Sequence, residues 1–329
     1  MHVFLLAGQQ PGMTHAQALA AAARHALTAE QAGYAGVWVA EHHFIPYGVC
    51  PSAVAFAAHL LGRTRRVTVG TAAAILSNRH PVALGEEAVL LDELSGSRFA
   101  LGVARGGPWV DLEVFGTGLS AYQNGFDESL DLLLAWLSGT PRVGADGERF
   151  RFRPVDVVPR PRRPVPTWVA ATSAGTVDAA ARRGLPVLLG MHATDDEKAT
   201  LLARYADTAA RHGHDPTAVP HASAHLAQLG DDDEVAAHTV RRELPTLLAG
   251  TRRYVRIDGS PPAHRDLAAY AEHLIAIGAV GTPDTCRERL AATVHATGVR
   301  HLLLMVETAG RPELVTANIT GLAAALLPA

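Results

Sequence analysis

The segment Glu41-His42-His43-Phe44 sets a carboxylate beside two imidazoles, directly after the short apolar run Gly36 to Ala40. Imidazole titrates near neutrality, so a histidine at the end of a strand can take up and return a proton during a reaction. One histidine says little in a chain that holds 17, where an ordinary surface or core histidine is the simpler account. The doublet and its place at a strand end favour acid/base work. Neighbouring residues of an extended chain face opposite sides, so His42 and His43 are poorly placed to share one ion, and no metal site is expected.

Three further segments carry chemistry of a different kind. Val69-Gly70-Thr71-Ala72-Ala73-Ala74 ends in small residues that admit a flat ring close to the backbone, although alanines packing the neck of a barrel explain them equally. Ala104-Arg105-Gly106-Gly107 sets a cation among small residues, suited to an anionic group or to a plain surface salt bridge. Ala171-Thr172-Ser173-Ala174-Gly175-Thr176 leads hydroxyls into a helix, where free N–H groups suit a phosphate and a simple Ser or Thr cap is the commoner use. Arg105 and the Ser173 turn, on neighbouring strand ends, together point to a bound phosphate.

The elements that must position these residues alternate in type. Strands are expected at His2 to Ala7, Gly36 to Ala40, Val67 to Ala74, Arg98 to Val103, Thr167 to Ala171, Pro186 to Gly190, His221 to Gly230 and His301 to Val306. Between them run helical stretches: Thr14 to Gln31, Pro51 to Gly62, Pro81 to Leu94, Ser120 to Ser138, Gly175 to Arg183, Asp195 to His212, Asp231 to Ala249 and Pro283 to Thr297, with Arg311 to Leu327 last. Thr140 to Pro166, rich in proline and arginine, breaks the rhythm, and its alternating Arg149-Phe150-Arg151-Phe152-Arg153 predicts an exposed hairpin. Gly250 to Arg265 reads as a loop able to move over a site. Eight strands with following helices predict a closed (β/α)8 TIM barrel in a single domain over 1–329. An open doubly wound sheet would favour a dinucleotide fingerprint after the first strand, and Gly8-Gln9-Gln10-Pro11-Gly12 lacks its spacing. In a barrel, functional groups collect on loops at the carboxyl ends of the strands, which is where all four segments fall.

Bulk composition agrees with a small-molecule enzyme. With 29 basic and 32 acidic residues the net charge is −3, and no broad cationic surface suits nucleic acid. Cys50 and Cys286 stand far apart and outside any Cys-x-x-Cys pattern, which suits a reducing cytoplasm. No run approaches the roughly 20 apolar residues of a membrane helix, and the opening residues lack a signal peptide's cationic flank.

The same residues resemble the bacterial luciferase α subunit and its luciferase-like monooxygenase relatives. The likeness runs through Val37 to Phe44, His59-Leu60-Leu61-Gly62, Val69 to Ala73, His80-Pro81, Leu91 to Ser95 and Arg98-Phe99. It resumes at Ala171 to Pro186, Val280 to Pro283 and Ala296 to Gly298, and so spans nearly the whole chain. The resemblance implies a barrel that binds reduced FMN at its carboxyl face and reacts it with O₂ to a C4a-peroxyflavin. By position it implies that His42 is the essential acid/base, that His43 supports it, and that a cis peptide joins Ala72 to Ala73 beneath the isoalloxazine ring. It also implies that Arg105, Ser173, Ala174 and Thr176 hold the phosphate.

Departures from the family pattern bear on the chemistry. Ala104 replaces a reactive cysteine, Gln123 replaces a second phosphate-contacting arginine, Thr172 replaces a glutamate, and Met191 replaces a tryptophan in the flavin pocket. The stretch from Thr251 to Gly278 is shorter than the luciferase's mobile lid. Neither light emission nor a long-chain aldehyde substrate therefore follows. The expected function is a two-component monooxygenase fed FMNH₂ by a separate flavin reductase, which hydroxylates a small organic substrate or inserts oxygen in Baeyer–Villiger fashion. Hydride transfer with deazaflavin F420 is the rival, and a non-catalytic flavin-binding protein a third reading that the presence of His42 disfavours. Family members usually pair through their second and third helices, so a homodimer is expected, with Val54 to Ala58 permitting close contact. Substrate specificity should lie in the loops Gln9 to Met13, Pro108 to Gly118 and Gly250 to Arg265.

Overall fold

Runs of β-branched and small apolar residues form strands, and the alanine- and leucine-rich stretches between them form helices, in a computed structural model that describes residues 1–261 and 265–328. The strands are β1 (His2–Leu5), β2 (Gly36–Val39), β3 (Thr68–Thr71), β4 (Ala74–Ile75), β5 (Phe99–Ala104), β6 (Arg142–Asp146), β7 (Arg151–Asp156), β8 (Thr167–Ala171), β9 (Val187–Leu189), β10 (Ala222–Leu229), β11 (Ala279–Gly281) and β12 (His301–Met305). The helices are α1 (His15–Gln31), α2 (Ala53–Arg63), α3 (Pro81–Leu94), α4 (Asp111–Val114), α5 (Leu119–Asn124), α6 (Phe126–Leu137), α7 (Ala174–Ala181), α8 (Asp195–Arg211), α9 (Asp233–Ala249), α10 (Leu267–Ile277), α11 (Pro283–Thr297) and α12 (Pro312–Leu326).

Parallel pairing runs β1–β2–β3–β5–β8–β9–β10–β12 and returns to β1, which closes an eight-stranded barrel with helices around it. The expected (β/α)8 fold is therefore the observed one. Residues of β2 show how the pattern builds two cores: Val37 and Val39 face the helices, while Trp38 points inward. There it meets Trp168 edge to face, with ring centroids 5.2 Å apart. Gly70 on the next strand is required by that filling, since a Cβ would lie 2.5 Å from the Trp38 ring. Trp38, Ala100, Trp168, Leu188, Ala222, Ala224 and Leu303 plug the barrel, and Ala72, Ala170 and Met191 pack on that plug.

Local chemistry explains the boundaries. Thr14 begins α1 with a capping box, accepting from the Gln17 N–H at 3.2 Å while its own N–H donates to Gln17 Oε1 at 2.8 Å. The hairpin expected within 140–166 is β6 paired antiparallel with β7. Four expectations need correction. The single third strand is two pieces, β3 and β4, separated at Ala72-Ala73. The single helix at 120–138 is α5 and α6, divided at Gly125, where a Cβ would crowd the Ala121 carbonyl and the Arg149 side chain. The loop at 108–118 contains α4. Between α9 and α11 lie a further helix, α10, and a strand, β11, which pairs with the outer half of β10. Asp266 starts α10 by accepting from the N–H groups of Ala268 and Ala269 at 2.9 and 3.1 Å. The expected loop at 250–265 is in part the 3-10 turn Gly250–Arg253, and its residues 262–264 lie outside the described residues. Among the described residues, no helix is long and apolar enough to cross a membrane.

Candidate active site

At the carboxyl end of β2 the chain leaves the sheet, so the Glu41–Phe44 block stands on the loop and not on the strand itself. Alternation persists there. Glu41 and His43 turn to one side, with His43 Nε2 at 3.5 Å from Glu41 Oε1. Glu41 is fully buried and ties three elements together: it accepts from Ala53 N–H at the start of α2 (2.9 Å), from Ile75 N–H in β4 (3.1 Å) and from Arg79 Nη2 (2.6 Å). Burial alone would raise its pKa, but the His43 contact, the Arg79 charge and the two amides outweigh that and hold the carboxyl below its usual range.

His42 turns the other way. Its ring stands edge-on to Tyr47 at 5.0 Å, and its backbone N–H is held by the Cys50 carbonyl at 3.0 Å. Gly48 leaves the space for this ring, because a side chain there would collide with His42 Nδ1 and the Leu6 carbonyl. Nδ1 is buried with no hydrogen-bond partner among the described residues. Burial pushes the imidazole pKa down to about 4, with Glu41 opposing and His43 adding to the fall. The free side chain is neutral at pH 7.

Barrel closure brings a second carboxyl to this region. Glu307, just beyond β12, accepts hydrogen bonds from the backbone of Leu6 and of Gly8 at the end of β1. Burial pushes it up to about 7, against those amides, so it titrates in the physiological range. Its charge is felt at Tyr47, whose phenol burial also raises. Sequence reasoning passed over Glu307, Tyr47 and Arg79. The available signal for Glu307 was its position at the carboxyl end of the eighth barrel strand.

The other expected residues lie around the same face. Ala72 and Met191 both pack on the barrel plug, from the ends of β3 and β9, and the peptide between Ala72 and Ala73 is cis. Arg105 follows β5, and its guanidinium lies over the Tyr122 ring, 4.6 Å from the centroid. Among the described residues it has no carboxylate partner. Ser173 caps α7: its hydroxyl is 3.5 Å from the Thr176 N–H and 3.1 Å from Thr176 Oγ1, with Ala174 exposed beside them. Because β5 and β8 pair directly, Arg105 and Ser173 leave neighbouring strand ends. Gln123 is exposed on α5, one residue from Tyr122.

The end of β2 thus carries a neutral histidine with a buried, unpartnered Nδ1, and the ends of β5 and β8 carry an arginine without a carboxylate partner among the described residues and a hydroxyl-capped helix. The sequence matches the luciferase-like monooxygenase family over residues 1–301. The chain belongs to that family. As a luciferase-like monooxygenase it is an oxidoreductase of the flavin-dependent class. It is 28% identical over 337 residues to the alkanal monooxygenase alpha chain of the Kryptophanaron alfredi symbiont, with 96% of this chain and 94% of that one covered. Monooxygenase RslO1 from Streptomyces bottropensis superposes with a TM-score of 0.86 at 25% identity, covering 99% of this chain and 98% of that one. The fold is shared more distantly with the oxygenating constituent of 3,6-diketocamphane monooxygenase from Pseudomonas putida, a type II Baeyer–Villiger enzyme in complex with FMN (TM-score 0.75, 18% identity, 98% and 96% covered). It is shared also with an F420-dependent secondary alcohol dehydrogenase (TM-score 0.79, 16% identity, 99% and 98% covered).

Proposed function

We propose that this luciferase-like monooxygenase binds reduced FMN, supplied by a separate flavin reductase, and uses it with O₂ to oxygenate a small organic substrate by hydroxylation or Baeyer–Villiger insertion. The observation that carries the reading is His42: a neutral imidazole with an unpartnered, buried Nδ1 at the mouth of the barrel. The side chains fit FMN. Ala72, Ala73 and Ala170 offer a floor of methyl groups for a planar ring, and Arg105, Ser173, Thr176 and the amino end of α7 offer charge and N–H groups for a phosphate. Met191 closes the floor beside Ala72. Similarity along nearly the whole chain to alkanal monooxygenase alpha chains supports FMN over F420.

Reduced FMN, when bound, supplies the electrons that activate O₂. The protein supplies position, dryness and a proton site. An anion above the alanine floor would raise the His42 pKa from about 4 towards neutrality, so that Nδ1 can hold and return a proton during turnover. Glu41, fixed by Arg79 and two amides, holds the loop that carries both histidines.

Two titrations test the cofactor: reduced FMN should bind at micromolar concentration or tighter, and reduced F420 at least about tenfold more weakly, a difference of about 1.4 kcal/mol. Tighter binding of F420 contradicts the proposal. In His42→Ala, oxygenation should fall by about 100-fold or more while FMN affinity stays within about threefold; full activity would remove His42 from the chemistry.

A further inference from the structure

The chain is poor in aromatic residues, with four tryptophans, six tyrosines and eight phenylalanines among 329, and its core is built mainly from alanine, valine and leucine. At the barrel mouth the composition reverses. Phe44 and Phe115 stand 57% and 45% exposed, where large apolar rings cost most in water unless something covers them. Their centroids are 6.1 Å apart, and His43 meets Phe115 edge-on at 5.1 Å.

Across the site the loops after β5 and α9 are stitched together. Val110 N–H donates to the Val255 carbonyl at 2.8 Å, and Ile257 N–H to the Pro108 carbonyl at 3.0 Å. This pairing stacks Trp109 on Tyr254 at 4.5 Å with planes 21° apart, and Arg256 lies over Trp109 at 5.0 Å. The Gly250 turn presses on the Tyr47 backbone, which joins this wall to the Tyr47–His42 pair. Arg265 lies over the Tyr270 ring at 4.1 Å and has no carboxylate partner among the described residues. Its charge is felt at Tyr47.

We infer that the substrate of this site is a flat, conjugated ring system carrying a phenolic hydroxyl, packed against the Trp109–Tyr254 pair and capped by Phe44 and Phe115, with Arg265 facing its hydroxyl. Aliphatic substrates gain only area from such walls; a conjugated ring also gains offset and edge-to-face contacts with the π faces. The two loops that supply the wall lie outside the barrel strands and are joined by two backbone hydrogen bonds, as suits specificity elements carried on a rigid scaffold. The inference rests on the flavin reading of the same site.

The test uses the FMN-loaded protein, titrated with 1-naphthol, naphthalene and decanal and followed by tryptophan fluorescence. Binding of 1-naphthol should be at least about tenfold tighter than that of decanal, the equivalent of about 1.4 kcal/mol. Trp109→Leu and Tyr254→Leu should each weaken 1-naphthol about fivefold or more and leave decanal unchanged. The preference for 1-naphthol over naphthalene should be lost in Arg265→Gln. Equal or tighter binding of decanal to the unmodified protein overturns the inference, whatever the variants do; so do unchanged affinities in both leucine variants. FMN affinity, measured first, separates the two claims: if FMN binds and the aromatic preference is absent, only the substrate assignment falls, whereas failure to bind FMN removes both.

Discussion

His42 owes its neutrality to burial that overcomes the attraction of Glu41, and it owes its position to a neighbour with no side chain. Gly48→Ala drives a methyl group into the ring and the Leu6 carbonyl, so the variant should lose about 1–3 kcal/mol of stability and most of its activity. Urea melts and turnover assays check both. Glu41→Gln removes the buried partner of Arg79 and leaves it only the exposed Glu87, 3.9 Å away. Breaking a buried pair in this way should cost about 3 kcal/mol, near the low end for such pairs because Arg79 stays partly exposed. The position of both histidines just beyond a strand end was legible in the sequence, and the alternation expected of neighbouring residues is what turns His42 and His43 to different sides. Glu307 and Arg79 were not. Their partners, Leu6 and Glu41, are distant in sequence, and only closure of the ring and the packing of the turn after β4 beside the end of β2 bring them together.

At the scale of elements, α7 concentrates the phosphate hypothesis in one helix terminus. Ser173→Ala should weaken FMN binding about fivefold or more and leave riboflavin, which lacks the phosphate, unchanged; an equal loss for both flavins would reduce Ser173 to an ordinary cap. Arg105→Met should do the same more strongly. Helices with complete capping signals, such as α1, were readable to within a residue or so. The shorter pieces were not: α4 and β11, at four and three residues, are too brief to show a period. The split between α5 and α6 hinges on one glycine inside a continuous helical pattern. α10 was missed although Asp266 provides a cap, because the Gly, Pro and Arg of the preceding loop masked its start.

For the whole molecule, eight closing strands bury many histidines as well as apolar side chains. His2 is held near 3, His25, His42 and His221 near 4, and His225 well below its usual value, in each case chiefly by burial. Between pH 6.5 and 4 the unfolded chain therefore binds more protons than the folded one, and stability must fall as pH is lowered through that window. Denaturant melts at pH 7 and pH 5 should differ by at least about 3 kcal/mol, each such histidine contributing up to about 2 kcal/mol; a flat profile would mean that these imidazoles are not kept neutral. The outer surface supports a second proposal, a homodimer through α2 and α3. Leu90 and Leu94 on α3 are 48% and 77% exposed, and Ala55 and Ala58 on α2 are exposed too. Sedimentation should give twice the chain mass, 34.7 kDa, at micromolar concentration, and a monomer would exclude this face as a stable interface.

The central claim, that this barrel holds reduced FMN beside a neutral His42 and directs its reaction with O₂, is tested most directly by rapid mixing of the reduced FMN complex with oxygenated buffer. The flavin spectrum should return to the oxidised form at least about tenfold more slowly than free reduced FMN, a barrier raised by about 1.4 kcal/mol, and the delay should be lost in His42→Ala. Return at the rate of free flavin in the unmodified protein would contradict the account.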